Sequence, residues 1–449
     1  MRDMTTSDDL KSAGLRHLEA LIGFDTTSRD SNLALIGYVE NVLRRHGVPS
    51  RRVSNADQTK ANLYATIGPA VAGGVVLSGH TDVVPVDGQA WTSDPFILTQ
   101  RGERLYGRGT CDMKAFLALA LAVVPRFANG NVARPLHLAF SYDEEVGCLG
   151  APSMIRELVS ELPAPLAVIV GEPTNMEVVS GHKGISTWRV TVKGHEAHSS
   201  LTHLGVSANM VAVGLMAQLR DLAESLERHG DPAPLYHPPH ATLTIGLMQG
   251  GTAVNILARE CSFVFDLRTP PGQDPDTIMA PFLEACARED GALRARFADA
   301  GVSVVRRSAT PSFAPEAEGA AETLARRLAG DNGPARAVPY AAEAGQFQGA
   351  GFSTVICGPG SIEQAHQPDE YLEVAQFERG AAFMHGWLRR CRSDQPATMF
   401  QRCHLFLRFV SNGSHRAPAF PNRDTLRTSR PAHIAMAFQA IFAKISTRY

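Results

Sequence analysis

The apolar runs along the chain are short, and most of them end directly in polar side chains. Four runs have the length of a buried strand: Val75–Leu77, Leu136–Phe140, Ala167–Val170 and Thr354–Cys357. Helical patterns lie between them, such as the Ala- and Leu-rich stretch after Asp112. Alternating strands and helices are typical of a parallel sheet with helices on its faces. The pattern therefore predicts an α/β domain, with further helices over residues 8–48.

Near residue 183 the pattern changes to alternating strands and long amphipathic helices. Strands are predicted at 185–192, 241–248, 261–267 and 302–305, and helices at 205–228 and 275–290. This β-α-β-β-α-β order is that of a ferredoxin-like unit. The αβ pattern then resumes and continues to residue 390. The sequence thus predicts a discontinuous first domain, residues 1–182 and 313–391, interrupted by an inserted domain, residues 183–312.

The polar side chains near the predicted strand ends are carboxylates and imidazoles. They are His80, Asp82, Asp112, Glu144, Glu145, Glu172 and His366. In an open α/β sheet, ligands bind outside the carboxyl ends of the strands. Oxygen ligands and imidazoles that converge there suit divalent zinc, cobalt or manganese. A single residue of this kind is usually surface or cap chemistry, but the joint pattern predicts a metal centre.

A two-metal site needs one ligand that both ions share. Asp112 has two oxygens that can bridge, while His80 and His366 can each bind one ion. Glu145 and Glu172 can complete the separate ligand sets. Two ions about 3.5–4 Å apart make a bridging water nucleophilic near neutral pH.

Glu144 and Glu145 should point in opposite directions if both extend a strand. One then binds metal while the other faces the substrate as a general base. Asp82 lies two residues after His80 and can hydrogen-bond its imidazole, which would fix the tautomer.

Composition narrows the classes of protein. The 449 residues are 44% apolar and 20% charged, as in a soluble enzyme. A net charge of −2 gives no reason to expect nucleic acid or a membrane surface as a partner. Seven cysteines without CxxC spacing, and an N-terminus without an apolar core, predict a cytoplasmic protein. No uncharged apolar stretch approaches the roughly 20 residues that span a bilayer.

The C-terminal segment, residues 392–449, differs from the rest of the chain. It carries nine Arg and Lys residues against two Asp residues, a local net charge of +7. Its sequence predicts a basic extension of unknown role.

Six segments resemble the acetylornithine deacetylase and succinyl-diaminopimelate desuccinylase family of dinuclear zinc amidohydrolases. They are SGHTDVVPVDGQAWTSDPF (78–96), LYGRGTCDMKAFLA (105–118), FSYDEEVGCLGA (140–151), GEPTNMEVVSGHKG (171–184), GHEAHSS (194–200) and CGPGSIEQAHQPDEYLEV (357–374). The resemblance covers about residues 8–390. It implies a zinc-aminopeptidase-like mixed sheet flanked by helices, with an inserted ferredoxin-like α+β domain that closes as a lid and forms a homodimer. One departure is Ala115, where the family usually has Gly.

The resemblance also implies the ligand sets and the metal. His80, Asp112 and Glu172 would hold one ion, and Asp112, Glu145 and His366 the other. The expected ions are zinc, with cobalt as the alternative.

Residue roles follow from the same resemblance. Glu144 would be the base, Asp82 would orient His80, and His198 of the inserted domain would reach the scissile carbonyl. His203 is a second candidate for that histidine.

The remaining expectations concern the substrate. Asn255 and Arg268 would bind its α-carboxylate, and Glu343 and Gly345 would line its side-chain end. The GEPT, HKG and AEAGQFQ segments favour hydrolysis of N2-acetyl-L-ornithine to L-ornithine and acetate, a step of arginine biosynthesis. The alternatives are another N-acyl-amino-acid deacylase, including a succinyl-diaminopimelate desuccinylase or an aminoacylase, or a dipeptidase on the same site. A non-catalytic binding protein is a remoter one.

Overall fold

The structure is a computed structural model that describes residues 6–230 and 232–392. The predicted basic extension therefore lies outside the described residues, except for its first residue, Arg392.

The described residues contain both long helices and a large number of short strands. The helices are α1 (Ser7–Ile22), α2 (Leu33–Arg45), α3 (Lys114–Asn129), α4 (Ala151–Glu161), α5 (Ala208–His229), α6 (Pro275–Arg296), α7 (Ala320–Ala329), α8 (Ala344–Gly349) and α9 (Val374–Cys391). The strands are β1 (Ser50–Ser54), β2 (Ala61–Ile67), β3 (Val75–His80), β4 (Thr99–Arg101), β5 (Arg104–Tyr106), β6 (Leu136–Ser141), β7 (Ala167–Pro173), β8 (Gly181–His182), β9 (Gly184–Lys193), β10 (Thr242–Gly250), β11 (Glu260–Thr269), β12 (Gly301–Thr310), β13 (Ala337–Val338), β14 (Thr354–Gly358) and β15 (Tyr371–Glu373).

The largest sheet has six strands in the order β1-β2-β6-β3-β7-β14. Strands β6, β3, β7 and β14 are parallel, and β1 and β2 add antiparallel pairs at one edge. The mixed α/β sheet confirms the predicted fold class, and the four apolar runs are β3, β6, β7 and β14. The edge strands β1 and β2 were not predicted.

Both faces of this sheet are covered, which explains why its strands are apolar at consecutive positions. Along β3, Val75 and Leu77 pack into a core shared with α1, α3 and α9. Val76, between them, packs on the other face with α4 and α8. This twofold alternation places the sheet between two layers of helices and leaves its carboxyl edge for a site.

A second sheet has four antiparallel strands in the order β10-β11-β9-β12. Helices α5 and α6 cover one face, around a core that contains Trp188, Phe263 and Phe265. The order of elements is the predicted β-α-β-β-α-β. Both sheets belong to one contiguous unit of the chain, Met1–Gln395. The boundaries of the inserted domain therefore stay a prediction.

Two helix ends differ from their predicted positions. Helix α5 begins at Ala208 rather than at residue 205, because Val206 is extended and exchanges two backbone hydrogen bonds with His195. Helix α6 begins as predicted, with Asp274 accepting hydrogen bonds from Asp276 N and Thr277 N. It continues to Arg296, and Gly291 within it does not end the helix.

Two smaller sheets connect loops near the large sheet: β15-β5-β4 and β13-β8. The first brings the turn after β5 next to the segment that precedes β15. No helix among residues 6–230 and 232–392 is long and apolar enough to cross a membrane.

Candidate metal centre

Five candidate ligands come together at the carboxyl edge of the six-stranded sheet. His80 is the last residue of β3, and Glu172 lies near the end of β7. Asp112 lies in the turn before α3, Glu145 follows β6, and His366 lies in the loop after β14. Residues from 80 to 366 therefore meet because their parallel strands end at one edge.

Asp112 lies between two histidines. Its Oδ1 is 3.0 Å from His80 Nε2, and its Oδ2 is 3.3 Å from His366 Nε2. The Asp112 carboxyl group is almost fully buried. Each oxygen thus faces a different imidazole, as expected of a carboxylate that bridges two ions.

Two further glutamates complete two groups of three. Glu145 Oε2 is 3.1 Å from His366 Nε2, and Glu172 Oε1 is 3.9 Å from His80 Nε2. In each group, one candidate ligand atom per residue lies within 4.8 Å of the others. The groups are His80, Asp112 and Glu172, and Asp112, Glu145 and His366. They have the membership that the sequence predicted for the two ligand sets.

Negative charge dominates this cluster. Burial raises the pKa of Glu145 to about 7, with the charge of Asp112 acting in the same direction. Burial and the same charge raise the pKa of Glu172 well above its ordinary value. Hydrogen bonds with Asp112 and Glu145 raise the pKa of His366 to about 10. Burial opposes ionisation of Asp112, but its hydrogen bonds with His366 and His80 lower its pKa.

The residues fit divalent metal ions on two grounds. First, Glu172 Oε1 is buried and has no hydrogen-bond partner among the described residues. A buried carboxylate oxygen without a partner is costly, and a cation would compensate it. Second, the set of carboxylates and imidazoles is a usual donor set for zinc and similar ions.

His80 contacts Asp82, the residue that the sequence indicated, but through a backbone atom rather than the carboxylate. Its Nδ1 lies 2.9 Å from the backbone oxygen of Asp82 and 3.7 Å from Asp82 Oδ1. Only the first is a hydrogen-bond distance. An Nδ1–H that donates to this carbonyl leaves Nε2 free as a ligand atom.

The Asp82 carboxylate has other partners. Its oxygens accept hydrogen bonds from Glu144 N at 3.2 Å and Glu145 N at 3.3 Å, and from the Ser28 hydroxyl at 2.7 Å. These three donors occupy the carboxylate that we expected on the imidazole. Asp82 therefore contacts both His80 and the backbone of the Glu144–Glu145 pair.

Glu144 and Glu145 diverge as predicted, although they lie in a loop rather than on a strand. Glu145 contacts His366, whereas Glu144 Oε1 accepts a hydrogen bond from Cys148 Sγ at 3.1 Å. The loop turns at Asp143, which has a positive φ of 56°. Burial raises the pKa of Glu144 to about 8, with the charges of Glu145 and Asp112 acting in the same direction and that of His80 opposing. A carboxylate with a raised pKa is suited to accept and return a proton.

The predicted lid residues belong to neither of the two ligand groups. His198 is exposed, and its Nδ1 lies 2.8 Å from the Ser200 hydroxyl. Asn255 is also exposed, and its backbone oxygen accepts a hydrogen bond from Ser199 N at 2.9 Å. The structure thus brings His198 and Asn255 together across 57 positions. His203, the alternative, is exposed in a single 3₁₀ turn.

The predicted substrate residues occupy two different environments. Arg268, on β11, donates a hydrogen bond to the Pro339 carbonyl at 3.4 Å and lies 3.4 Å from Asp266. Glu343 is buried, and its oxygens accept hydrogen bonds from Ser78 within β3 and from Ser141 at the end of β6. Because both oxygens have partners, its contact with a substrate ammonium stays a prediction.

Gly345 is buried and lies against backbone. A Cβ at this position would approach the Pro311 oxygen to 2.3 Å, so a larger residue would displace the chain. Its backbone N donates to His182 Nε2 at 3.2 Å. Burial lowers the pKa of His182 to about 4, which keeps the ring neutral and able to accept this bond.

Sequence reasoning missed two residues near the cluster. The first is Tyr340, whose pKa is raised by burial and by the charges of Glu172 and Asp112. Glu370 is buried, and its carboxylate accepts a hydrogen bond from Asp112 N at 3.1 Å. The available signal for Glu370 was its place four residues after His366 in a segment that resembles the family.

Comparison with known proteins identifies a family and several relatives. The model of "Peptidase family M20/M25/M40" matches residues 76–390. An acetylornithine deacetylase of Myxococcus xanthus is 35% identical over 376 residues, 82% of this chain and 94% of that protein. An acetylornithine deacetylase of Proteus mirabilis is 33% identical over 79% of this chain and 89% of its own length.

Solved structures share the fold at low identity. An M20 family metallo-carboxypeptidase from Sulfolobus solfataricus has a TM-score of 0.67 and 16% identity, over 84% of this chain and 98% of that one. A dinuclear metal binding peptidase of the M20 family from Bacillus subtilis has a TM-score of 0.56 and 15% identity, over 86% of this chain and 99% of that one. From the span of the family match and the similarity to these relatives, the chain belongs to peptidase family M20/M25/M40.

Proposed function

We propose that this chain is a metal-dependent amidohydrolase that converts N2-acetyl-L-ornithine and water to L-ornithine and acetate, a step of arginine biosynthesis. The observation that carries the proposal is Asp112, whose two oxygens face His80 and His366 at the centre of two ligand groups. The substrate is drawn from relatives named acetylornithine deacetylase, which are 32–35% identical over most of their length.

Two divalent ions would be held by the two groups that share Asp112. Zinc is the ion we propose, with cobalt as the alternative. Such ions, when bound, polarise an amide carbonyl and lower the pKa of water.

In this scheme Glu144 is the group that moves protons. It would take the proton of the attacking water and return it to the amine that leaves as L-ornithine. Its loop is held from behind by the Asp82 carboxylate, which accepts hydrogen bonds from Glu144 N and Glu145 N. This arrangement fixes the base relative to His80, which bonds to the Asp82 backbone.

The four-stranded sheet would supply the groups that recognise the substrate. Arg268 is suited to a carboxylate, since guanidinium binds it with two parallel hydrogen bonds. Asn255 would assist Arg268, and His198 would donate to the carbonyl oxygen after closure of this domain. Glu343 and Gly345 would lie at the side-chain end of the substrate.

A second copy of the chain is the proposed partner of this sheet. Strand β10 is its edge, with Leu247 and Met248 about two-thirds exposed. On α5, which packs against β10 and β11, Met210 and Val213 are also exposed. Exposed apolar side chains beside an open sheet edge are typical of an interface. Leu247→Asp should convert a dimer to monomers in light scattering, whereas an unchanged mass, or a monomeric wild type, would contradict it.

The compartment we propose is the cytoplasm. The six cysteines among the described residues are all free and buried, which is typical of proteins kept in a reducing compartment.

A substrate panel tests the activity. The purified chain, loaded in turn with zinc and with cobalt, is given acetyl-ornithine, succinyl-diaminopimelate, acetyl-methionine and a dipeptide. Acetyl-ornithine should have the highest kcat/KM. Equal values for acetyl-ornithine and acetyl-methionine would indicate a general aminoacylase instead, and preference for the dipeptide would indicate a dipeptidase.

A further inference from the structure

A buried carboxylate behind the metal groups holds the turn that carries Asp112. Glu370 Oε1 accepts hydrogen bonds from Cys111 N at 2.8 Å and Asp112 N at 3.1 Å. Its Oε2 accepts from Gly109 N at 3.0 Å and from Arg108 Nη1 at 2.8 Å. One side chain thus binds three backbone N–H groups within four residues.

The shape of this turn depends on those bonds. Gly109 has a φ of +85°, which a residue with a Cβ rarely adopts. Its N–H and those of Cys111 and Asp112 are directed to one point, where an anion is the best acceptor. Hydrogen bonds to an ionised carboxylate are about twice as strong as neutral ones. Glu370 therefore fixes the backbone from which the Asp112 carboxylate extends between the two histidines.

Arg108 connects this carboxylate to two further loops. Its guanidinium is buried, with 1% of the side chain exposed, as is Glu370. Besides Glu370 it donates to Gln89 Oε1 at 2.6 Å and to the Gln367 carbonyl at 3.3 Å. A buried arginine paired in this way cannot shift without leaving a buried charge unpaired, which is strongly unfavourable.

Gln89 completes the connection to the second histidine. Its Nε2 donates to the backbone oxygen of His366 at 2.9 Å, while its Oε1 accepts from Arg108 and from Trp91 Nε1. His366 needs such support because its φ is 63° and about half of its side chain is exposed. The amide of Gln89 therefore relates the position of His366 to that of Asp112.

We propose that Glu370, Arg108 and Gln89 are positioning residues that hold Asp112 and His366 at the separation required for two ions. The inference rests on the metal-binding part of the function proposed above. Glu370 and Arg108 act through Asp112, which belongs to both ligand groups, whereas Gln89 acts through His366, which belongs to one. Loss of Glu370 should therefore weaken the binding of both ions, and loss of Gln89 should weaken the binding of one.

The chain offers a matched control in Asp331. Its Oδ2 accepts from Val178 N at 2.9 Å and Arg336 Nη1 at 2.8 Å, and its Oδ1 accepts from Gly333 N at 2.8 Å. Its side chain is 8% exposed, compared with 1% for Glu370. Among the described residues, none of these partners is a candidate ligand. Asp331→Asn thus removes a comparable clamp on another loop.

The experiment measures zinc affinity by competition with a chelator and the visible spectrum of the cobalt-loaded protein. Glu370→Gln sets an amide NH₂ against N–H donors. The affinity for both ions should fall about 10- to 100-fold, as when other residues that hold metal ligands are replaced. The cobalt spectrum should shift. Asp331→Asn should lower the Tm with wild-type affinities and spectrum. Gln89→Ala, on a partly exposed loop, should weaken only one of the two ions.

Each result has a defined consequence. Wild-type affinities and spectrum in Glu370→Gln, or equal weakening in Asp331→Asn, would overturn the inference. If Glu370→Gln does not fold, Glu370→Asp, which keeps the charge, should retain both ions with intermediate affinity. Gln89→Ala tests the role of Gln89 separately, and wild-type affinity for both ions would contradict that role. A wild-type chain that binds fewer than two ions would contradict the proposed function itself.

Discussion

Candidate ligands at the edge of the six-stranded sheet are bonded to one another, whereas His198 and Asn255, in the loops after β9 and β10 of the four-stranded sheet, are exposed. Asp112 contacts His80 and His366 within 3.3 Å and is held from behind by Glu370. His198, in contrast, bonds to the neighbouring Ser200 and faces solvent.

This difference indicates two kinds of functional group. Metal ligands must be fixed before the ion binds, because displaced ligands lower its affinity. Groups that bind substrate can remain solvated until a domain closes or a partner supplies them. Substitutions of the candidate ligands should therefore change metal binding, whereas substitutions of the exposed groups beside the four-stranded sheet should change kcat or KM while both metals remain.

The largest effect on turnover with metals retained is expected at the base. Glu144→Gln keeps the size of the side chain but cannot accept a proton, so kcat should fall about 10²–10⁴-fold. Metal analysis should still find two ions per chain, because Glu144 belongs to neither ligand group. Glu161→Gln, at the C-terminal end of helix α4 and outside both ligand groups, is the control and should keep wild-type kcat. Normal metal content with near wild-type kcat in Glu144→Gln would remove Glu144 as the base.

His198, the proposed lid histidine, should have the next largest effect on kcat. His198→Ala removes the proposed donor to the developing oxyanion, whose loss costs roughly 10²–10³ in kcat. Metal content and Tm should not change, since His198 is exposed and belongs to neither ligand group. His229→Ala, at the exposed end of α5, is the matched control. An unchanged kcat in His198→Ala would transfer the role to His203, which is then tested in the same way.

Arg268 should affect binding more than chemistry. Hydrogen bonds to charged groups contribute about 1.5–3 kcal/mol, so Arg268→Ala should raise the KM for acetyl-ornithine about 10- to 100-fold. Arg268→Lys should recover part of this loss, because it keeps the charge without the two parallel bonds. If KM is unchanged in Arg268→Ala, its contacts with Asp266 and Pro339 are structural only.

The smallest effect is expected for Glu343, and it concerns selectivity. Glu343→Gln should narrow the preference for acetyl-ornithine over acetyl-methionine by about tenfold or less, comparable to the net contribution of a typical hydrogen bond, about 0.5–1.5 kcal/mol. The measurement is the ratio of the two kcat/KM values. A lower Tm with an unchanged ratio would show instead that Glu343 only braces Ser78 and Ser141.

The sequence was most informative where side chains follow buried strands. A strand buried on both faces is recognised from its continuous run of apolar residues, and the direction of the strand determines where His80 and Glu172 lie. It was less informative about which atom acts. Asp82 supports His80 through its backbone, because Ser28 and two N–H groups occupy its carboxylate. Such a choice depends on contacts between residues 54 or more positions apart, which spacing does not reveal.

Supporting residues were harder to predict than ligands. Glu370 follows His366 by four residues, and only the folded turn brings it beneath Asp112. Arg108 is charged and buried, contrary to the usual preference of its residue type, because Glu370 compensates it. For the four-stranded sheet, the hydrophobic pattern predicted the strands and helices. His198 and Asn255 become neighbours through a β-bridge between two loops, which that pattern does not reveal.

The central claim is that one carboxylate joins two metal ions, and metal content tests it most directly. Wild-type chain and Asp112→Ala are loaded with zinc, desalted and analysed for ions per chain. We predict two ions for the wild type and at most one, weakly held, for Asp112→Ala, because Asp112 belongs to both groups. Two tightly bound ions in Asp112→Ala would contradict the claim.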